Sequence, residues 1–467
     1  MNRWLKARWF SLLGRWALRS HRFQLALQNF RKAAEQEPEN LHTAIEIGWC
    51  LYKLKDYQAA IDQYENALQK RTDYASAHAC LGLALAEVHR TQEAADAVRR
   101  GLRIDPRMRD RAFYESCLGK WLSDLGRWEE AVALLQNSIK ADPKEASSHY
   151  SLGYAYDQQQ HHPEALKEFQ ESIRLNPKWP EAHYSLGVSF ARLGQFDKAV
   201  TAYLQAVELR PSDADTHFNL GVAYGELGRH DEEIDEYKKA IHIAPNDCMT
   251  LVNLALAYSQ SGHHEAAIEI WKRVTELKPG SVEAYASLTV DYERLGRYQE
   301  ALEATQETVR IDPKSPISPG NVAVVLTRLG KFDDALREAQ DAMRLNPDYP
   351  DAHFNAACAF QGLENHSAAV TEYIKAVELK PDYLEALVNL GNAYLELGQN
   401  DEAIHPLKRA TELKPECVEA HDFLGTAFLM KGDRAAAMEQ LSILKHLDPK
   451  FEGAISKQLA SENLSGD

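Results

Sequence analysis

Apolar residues along this chain recur at i, i+3, i+4 and i+7 in windows of about a dozen residues, the spacing of one face of an amphipathic helix. Two such windows follow each other closely, and the pair returns with a period of 34 residues. The period is plainest in proline, which stands at 143, 177, 211, 245, 279, 313, 347, 381, 415 and 449. Pro38, Thr72 and Pro106 continue the step backwards. The one irregular interval, from Pro106 to Pro143, is 37 residues and marks a three-residue insertion near Met108–Arg111. Thirteen units follow, at 7–40, 41–74, 75–108, 112–145, 146–179, 180–213, 214–247, 248–281, 282–315, 316–349, 350–383, 384–417 and 418–451. They are called repeats 1 to 13 here, with positions 1 to 34 in each.

Residues that return at one position have a mechanical reason to do so. Position 20 is Ala in twelve repeats, with Glu233 the exception, and position 8 is Gly in nine, as at Gly48, Gly153, Gly187, Gly221 and Gly391. Small residues at both places let two helices approach closely. Position 15 is often Gly, at Gly194, Gly228, Gly262, Gly296, Gly330, Gly398 and Gly432, where the end of a first helix calls for a left-handed residue. The proline at position 32 ends the second helix. Each repeat is therefore predicted to be a helix–turn–helix, and the chain to hold about twenty-six helices.

The resulting pattern is L-G-x-x-[YFL]…A-x-x-x-[FY]-x-x-A…P. Repeat 6 carries it in Leu186, Gly187, Phe190, Ala199, Tyr203, Ala206 and Pro211. It resembles the tetratricopeptide repeat (TPR) family, over 445 of 467 residues. The family's usual Trp at position 4 is absent, and His stands there at His78, His149, His183, His217, His353 and His421. The resemblance implies an all-α, right-handed superhelical solenoid of stacked antiparallel helix pairs, the first helices lining its concave side. No repeat buries its own apolar face, so neighbours supply the core. Residues 452–467 leave the register, and Ala454, Ile455, Leu459 and Leu464 predict a capping helix followed by a polar tail. The segment Ser315-Pro316-Ile317-Ser318-Pro319-Gly320 predicts a shortened first helix in repeat 10, with Ser318 as cap and Pro319 in the first turn. Repeats 8 to 11 also replace the position-8 Gly by Ala255, Thr289, Ala323 and Ala357. These features read as joints in one array spanning 1–451.

Composition narrows the function. The chain has 53 Lys and Arg against 69 Asp and Glu, a net charge of −16, with 45% hydrophobic residues. That argues against a nucleic-acid binder, which needs a basic surface to displace condensed counterions. The charge is uneven. Residues 1–34 hold Arg3, Lys6, Arg8, Arg15, Arg19, Arg22, Arg31 and Lys32 and no acid, which leaves the remainder at −24 (45 cations, 69 anions). Cys50, Cys80, Cys117, Cys248, Cys358 and Cys417 are too dispersed for a disulfide framework or a zinc site and read as free thiols in a reducing compartment. No segment approaches the ~18 apolar residues of a membrane span, and Arg8, Arg15 and Arg19 break up the only candidate signal sequence. The expected location is cytoplasmic.

Catalytic motifs are absent: no phosphate-binding loop, dinucleotide fingerprint, H-E-x-x-H or G-x-S-x-G. Histidine recurring at one repeat position belongs to the architecture. The pairs His161–His162 and His263–His264 fall at turns. Neither a metal, nor a cofactor, nor an enzyme activity is expected.

The functional surface is then the side of the first helices opposite the core, at positions 2, 5, 6, 9, 12 and 13. Position 6 holds Ser151, Ser185, Asn219, Asn253, Ser287, Asn321, Asn355 and Asn389. An asparagine amide offers an acceptor and donors, which matches the C=O and N–H of an extended peptide. The row is similar to the asparagine ladder in the repeats of O-linked N-acetylglucosamine transferase, though no glycosyltransferase domain accompanies it. The alternative is that these residues bridge adjacent helices or face water. Position 2 adds Glu181, Asp215, Glu283, Asp351, Glu385 and Glu419, which favour a basic ligand or simply complement helix dipoles. The family's clamp for acidic peptide termini needs Lys and Arg on this face, and repeats 6 to 12 have none at positions 2, 5, 6 and 9. Tyr150, Tyr184, Phe218 and Phe354 at position 5 either touch ligand side chains or pack on the next helix.

Trp4, Trp9 and Trp16 sit among arginines on the first helix of the array, which is expected to lack a covering neighbour. That composition suits a protein or anionic-lipid interface, or else a self-capping helix. The leading expectation is a non-enzymatic scaffold that binds partner proteins or extended, basic peptides along its groove. The rivals are a peripheral membrane or assembly factor docking through residues 1–22, and a targeting subunit for a separate glycosyltransferase or other modifying enzyme.

Overall fold

A computed structural model describes residues 3–451 and 453–457, and all regular structure among them is helical. Every repeat forms two helices. The first generally covers positions 1 to 13 and the second positions 17 to 30, as in Pro180–Arg192 and Phe196–Leu209 of repeat 6. The chain divides into two compact units, Met1–Pro245 and Asn246–Asp467, at the border between repeats 7 and 8. Within each unit every helix packs on its successor.

The turn between paired helices needs one left-handed residue at position 15, and all thirteen repeats have it. Eight are glycines, Gly126 and the seven predicted. The other five are His21, Lys55, His89, Gln160 and Glu364, with φ between 55° and 64°. A side chain pays a steric cost in this conformation that glycine does not. Lys55→Gly, Gln160→Gly and Glu364→Gly are therefore each expected to stabilise the fold by roughly 0.5–1 kcal/mol. A lowered denaturation midpoint for these exposed substitutions would contradict this account.

Position 8 works as a socket. A Cβ on Gly187 would lie 2.5–3.0 Å from the ring of Tyr203, and one on Gly221 would lie 2.7–3.2 Å from the ring of Tyr237. The large residue sits at position 24 of the second helix, and Tyr64, Tyr203, Tyr237 and Tyr373 are all fully buried. In repeats 9 and 10, where position 8 is Thr289 or Ala323, position 24 shrinks to Thr305 or Ala339, and these stay buried too. The missing glycine is offset by a smaller partner inside the pair. Repeats 8 and 11 keep Trp271 and Tyr373 opposite Ala255 and Ala357.

Three irregular places come out as follows. The insertion lengthens the link between the helices Thr91–Ile104 and Arg111–Asp124. The latter packs on the first helix of repeat 5 as well as on its own partner, with Tyr114 and Trp121 buried. In repeat 10 the first helix is short, Ile317–Arg328, but it starts at Ile317, not behind a Ser318 cap. Pro316 already has helical angles, and Ser318 lies inside the first turn, buried, so its hydroxyl does not serve as the cap. At the other end, residues 454–457 form a helical turn, and Ile455 is fully buried against Gly425. The amides of Ala454 and Ile455 donate to the Asp422 carboxylate at 2.9 and 3.0 Å. Leu459 and Leu464 lie outside the described residues.

Candidate peptide groove

The position-4 histidines are hydrogen-bond bridges. In His78, His149, His183, His217, His353 and His421, Nε2 meets the carbonyl of position 32 of the preceding repeat, at 2.9–3.2 Å. In His149, His217 and His353 the other ring nitrogen meets a glutamate at position 23 of the second helix, Glu168, Glu236 or Glu372, at 2.6–2.7 Å. Both nitrogens of His149 and of His217 then face acceptors, which favours the imidazolium in these two. The bond to the glutamate raises the pKa of His149 and of His217 despite their burial. Burial resists ionisation of Glu236, but hydrogen bonds from His217 and Lys239 outweigh it and hold that carboxyl low.

A histidine whose folded pKa is raised stabilises fully below its unfolded value of about 6.5 and loses the contribution as pH climbs through the folded one. The stability gap between wild type and His217→Phe should therefore be widest in mildly acidic solution and narrow on the alkaline side. Thermal melts across that range check it. A gap independent of pH would mean that the imidazole stays neutral. The described residues gather no group of three or more side chains able to hold a metal ion.

The position-6 residues line the seam between successive first helices. Asn219 Nδ2 donates to the Tyr184 hydroxyl of the preceding repeat at 3.1 Å and to the Asp215 carbonyl at 2.8 Å. Asn355 is buried, and its Nδ2 donates 3.0 Å to the carbonyl of Gly320 in the preceding repeat. Asn389 is half-buried beside Cys358 and Tyr373. Ser185 meets the Tyr150 hydroxyl at 3.4 Å. Asn253 Nδ2 donates to the carbonyl of Met249 in its own helix at 2.9 Å. Ser151 is buried, Ser287 is half-buried, and Asn321 is exposed. Ser185, Asn219 and Asn355 thus bridge adjacent first helices through a hydroxyl or NH2 group, while among the described residues no donor meets the amide oxygens of Asn219, Asn253 and Asn355.

The position-2 acids are split. Glu181 is paired with Arg210, and Asp351 accepts a 2.6 Å hydrogen bond from the Tyr383 hydroxyl. Asp215, Glu283, Glu385 and Glu419 are exposed, Glu419 with only the Cys417 thiol near it at 3.7 Å. The position-5 rings pack inward: Tyr150 on Phe169, Tyr184 on Tyr203, Phe218 on Tyr237 and Phe354 on Tyr373, with centroids 5.7–6.0 Å apart. In the first unit a pocket of about 340 Å³ opens on this wall, lined by Lys120, Asp124, Tyr150, Ser151, Tyr154, Trp179 and Glu181. Burial raises the Asp124 carboxyl there, with Lys120 opposing.

Profiles of the tetratricopeptide repeat match residues 12–76, 56–108, 118–183, 252–316 and 388–450, more than half of the chain, and further repeat profiles match 189–228, 362–398 and 214–247. The chain belongs to the tetratricopeptide repeat family. No curated protein matches it. Solved structures similar to it include MamA, 30% identical over 36% of this chain and 98% of that one, with a TM-score of 0.33. YrrB, described as a TPR protein with an unusual peptide-binding site, is 23% identical over 39% of this chain and 92% of that one, with a TM-score of 0.34. The Cut9 and Hcn1 assembly is 14% identical over 98% of this chain and 96% of that one, with a TM-score of 0.42.

The open side of the TPR first helices also carries aliphatic residues. In repeats 8, 9 and 10 position 9 is Leu256, Val290 and Val324, exposed by 37%, 53% and 36%. In repeats 8 and 10 position 2 is Met249 and Ile317 in place of an acid, both more than half exposed. Five aliphatic side chains thus stand open beside Asn253, Ser287 and Asn321. The signal was present, since position 9 is aliphatic from Val188 and Val222 through Val324.

Proposed function

We propose that this TPR protein is a non-enzymatic scaffold that holds extended segments of partner proteins against its first helices, with repeats 8 to 10 as the principal contact. TPR proteins bind protein or peptide partners, and the observation that carries the finer reading is the apolar row beside the polar one. Leu256, Val290 and Val324 offer contact for apolar side chains, and the neighbouring amide oxygens accept from peptide N–H groups. An extended strand advances about 3.3 Å per residue, so about three residues span a helix spacing of 8–10 Å, with alternate side chains facing the wall. The exposed acids Glu283, Glu385 and Glu419 favour a ligand with cationic residues among the apolar ones.

Crosslinking mass spectrometry on a pull-down with the full chain tests this, because crosslinks should concentrate on repeats 8 to 10. Neutralising Glu283, Glu385 and Glu419 to Gln should then weaken calorimetric binding of the recovered segment mainly at low ionic strength. Binding by a variant with these three changes that equals wild type in dilute buffer removes the basic-ligand part of the proposal.

A further inference from the structure

Helix Arg3–Arg19 has two opposite faces. Ala7, Gly14 and Ala17 are buried against the second helix of repeat 1, and a Cβ on Gly14 would strike the ring of Phe30. On the other side Leu5, Trp9, Leu12 and Trp16 are exposed by 47%, 56%, 55% and 54%. At about 100° per residue these four fall within an arc of roughly 60°, and Arg19, Arg8 and Arg15 follow along one flank.

The two tryptophans occupy positions 3 and 10 of repeat 1. In the later repeats those positions are small and covered: Ala77 and Ala84, Ala182 and Ser189, Ala352 and Ala359 are each exposed by no more than 1%. There the second helix of the preceding repeat packs on the first helix of the next. Only repeat 4, beyond the insertion, has large residues, Tyr114 and Trp121, and both are buried. The indoles at positions 3 and 10 of repeat 1 stand exposed where the other repeats present small, covered residues or, in repeat 4, buried rings, so this face carries a large apolar surface that the described repeats leave open.

Charge says what covers it. Residues 1–34 carry eight cations and no acid. Arg15 lies 3.9 Å from Glu46, while Arg3, Lys6, Arg8 and Arg19 form no ion pair among the described residues. Arg8 stacks on Trp4 at 5.1 Å and Arg22 on Trp16 at 5.8 Å. Among the described residues none of the three indole N–H groups donates a hydrogen bond. A second copy of the same face would set cation against cation. An anionic lipid surface meets each requirement: acyl chains for the stripe, headgroup phosphates for the arginines, and a wet boundary for the indole N–H groups. The helix, about 25 Å long at 1.5 Å per residue and charged along one flank, would lie in the surface; no described helix is long and apolar enough to cross a membrane.

We propose that the Leu5–Trp9–Leu12–Trp16 face docks this protein flat on anionic membranes. The test is cosedimentation of the full chain with vesicles of phosphatidylcholine alone or mixed with phosphatidylglycerol. Wild type should partition onto the mixed vesicles only, and added salt should release it. Trp9→Ser with Trp16→Ser should lower the partition coefficient by at least about tenfold, as should Arg8→Gln, Arg15→Gln and Arg19→Gln together. All five side chains lie on the surface, and circular dichroism confirms that the variants fold. The proposal is overturned if wild type ignores the mixed vesicles, if it binds neutral ones equally, or if either variant binds as wild type does. It is also overturned if the tryptophan changes alter only self-association in sedimentation velocity, which would make the face a protein interface.

Discussion

Tyr203→Ala is expected to destabilise its part of the array by about 3–5 kcal/mol, the usual cost of removing a fully buried aromatic ring. The ring is 1% exposed and packs on Phe190, Val200, Leu220 and Tyr224, tying repeat 6 to repeat 7. One edge of it is pressed to the bare backbone of Gly187, so the surrounding helices cannot close the gap without sliding past each other. The effect should be regional. A repeat array couples each unit to its neighbours, so native-state hydrogen exchange should accelerate in repeats 6 and 7 first and leave repeats 1 to 3 protected. Gly187→Ala attacks the same joint from the other side and should cost about 1–3 kcal/mol by overpacking. The two losses should not add when combined, because the smaller ring site makes room for the new methyl. Full additivity in denaturant melts would show that socket and ring act independently.

The second large effect concerns binding. Leu256→Ser, Val290→Ser and Val324→Ser together should weaken the partner segment by about a hundredfold, at roughly 1 kcal/mol of lost apolar contact per residue. All three side chains are at least one-third exposed, so the fold should tolerate the change. Asn253→Ala with Asn321→Ala should cost less, about tenfold, at ~0.5–1.5 kcal/mol for each hydrogen bond. Asn355 does not belong in that test. It is buried, and its loss removes a hydrogen bond to the Gly320 carbonyl of the preceding repeat, so a stability defect would be mistaken for a binding defect. Titration calorimetry with the recovered segment separates the cases. If the triple serine variant binds at wild-type strength, the row is not the contact surface.

The repeat, both helices of each unit and the left-handed turn where glycine makes it could all be read from residue order, whereas the ring at position 24 that fills the position-8 socket emerged only from the packing. Each depends on residues within about 34 positions and on rules that act locally: helical periodicity, the steric freedom of glycine, and the stop imposed by proline. The same rules misplace the start of the first helix in repeat 10, where Pro316 enters the helical region itself and Ser318 is drawn into the packing.

The groove follows a different logic. Whether Asn355 is buried while Asn321 is open depends on what the preceding repeat presents, here the Gly320 carbonyl, 35 positions away. Whether His217 is a packing ring or a charged bridge depends on Glu236 and on the Pro211 carbonyl meeting it from two sides. Whether Leu256, Val290 and Val324 are core or surface depends on where the neighbouring helices leave off. Sequence alone therefore determined the repeated unit, its helices and its family, because those are properties of one helix pair. Tertiary structure decided which groove positions are free to bind, because burial and hydrogen-bond satisfaction belong to the contact between one pair and the next.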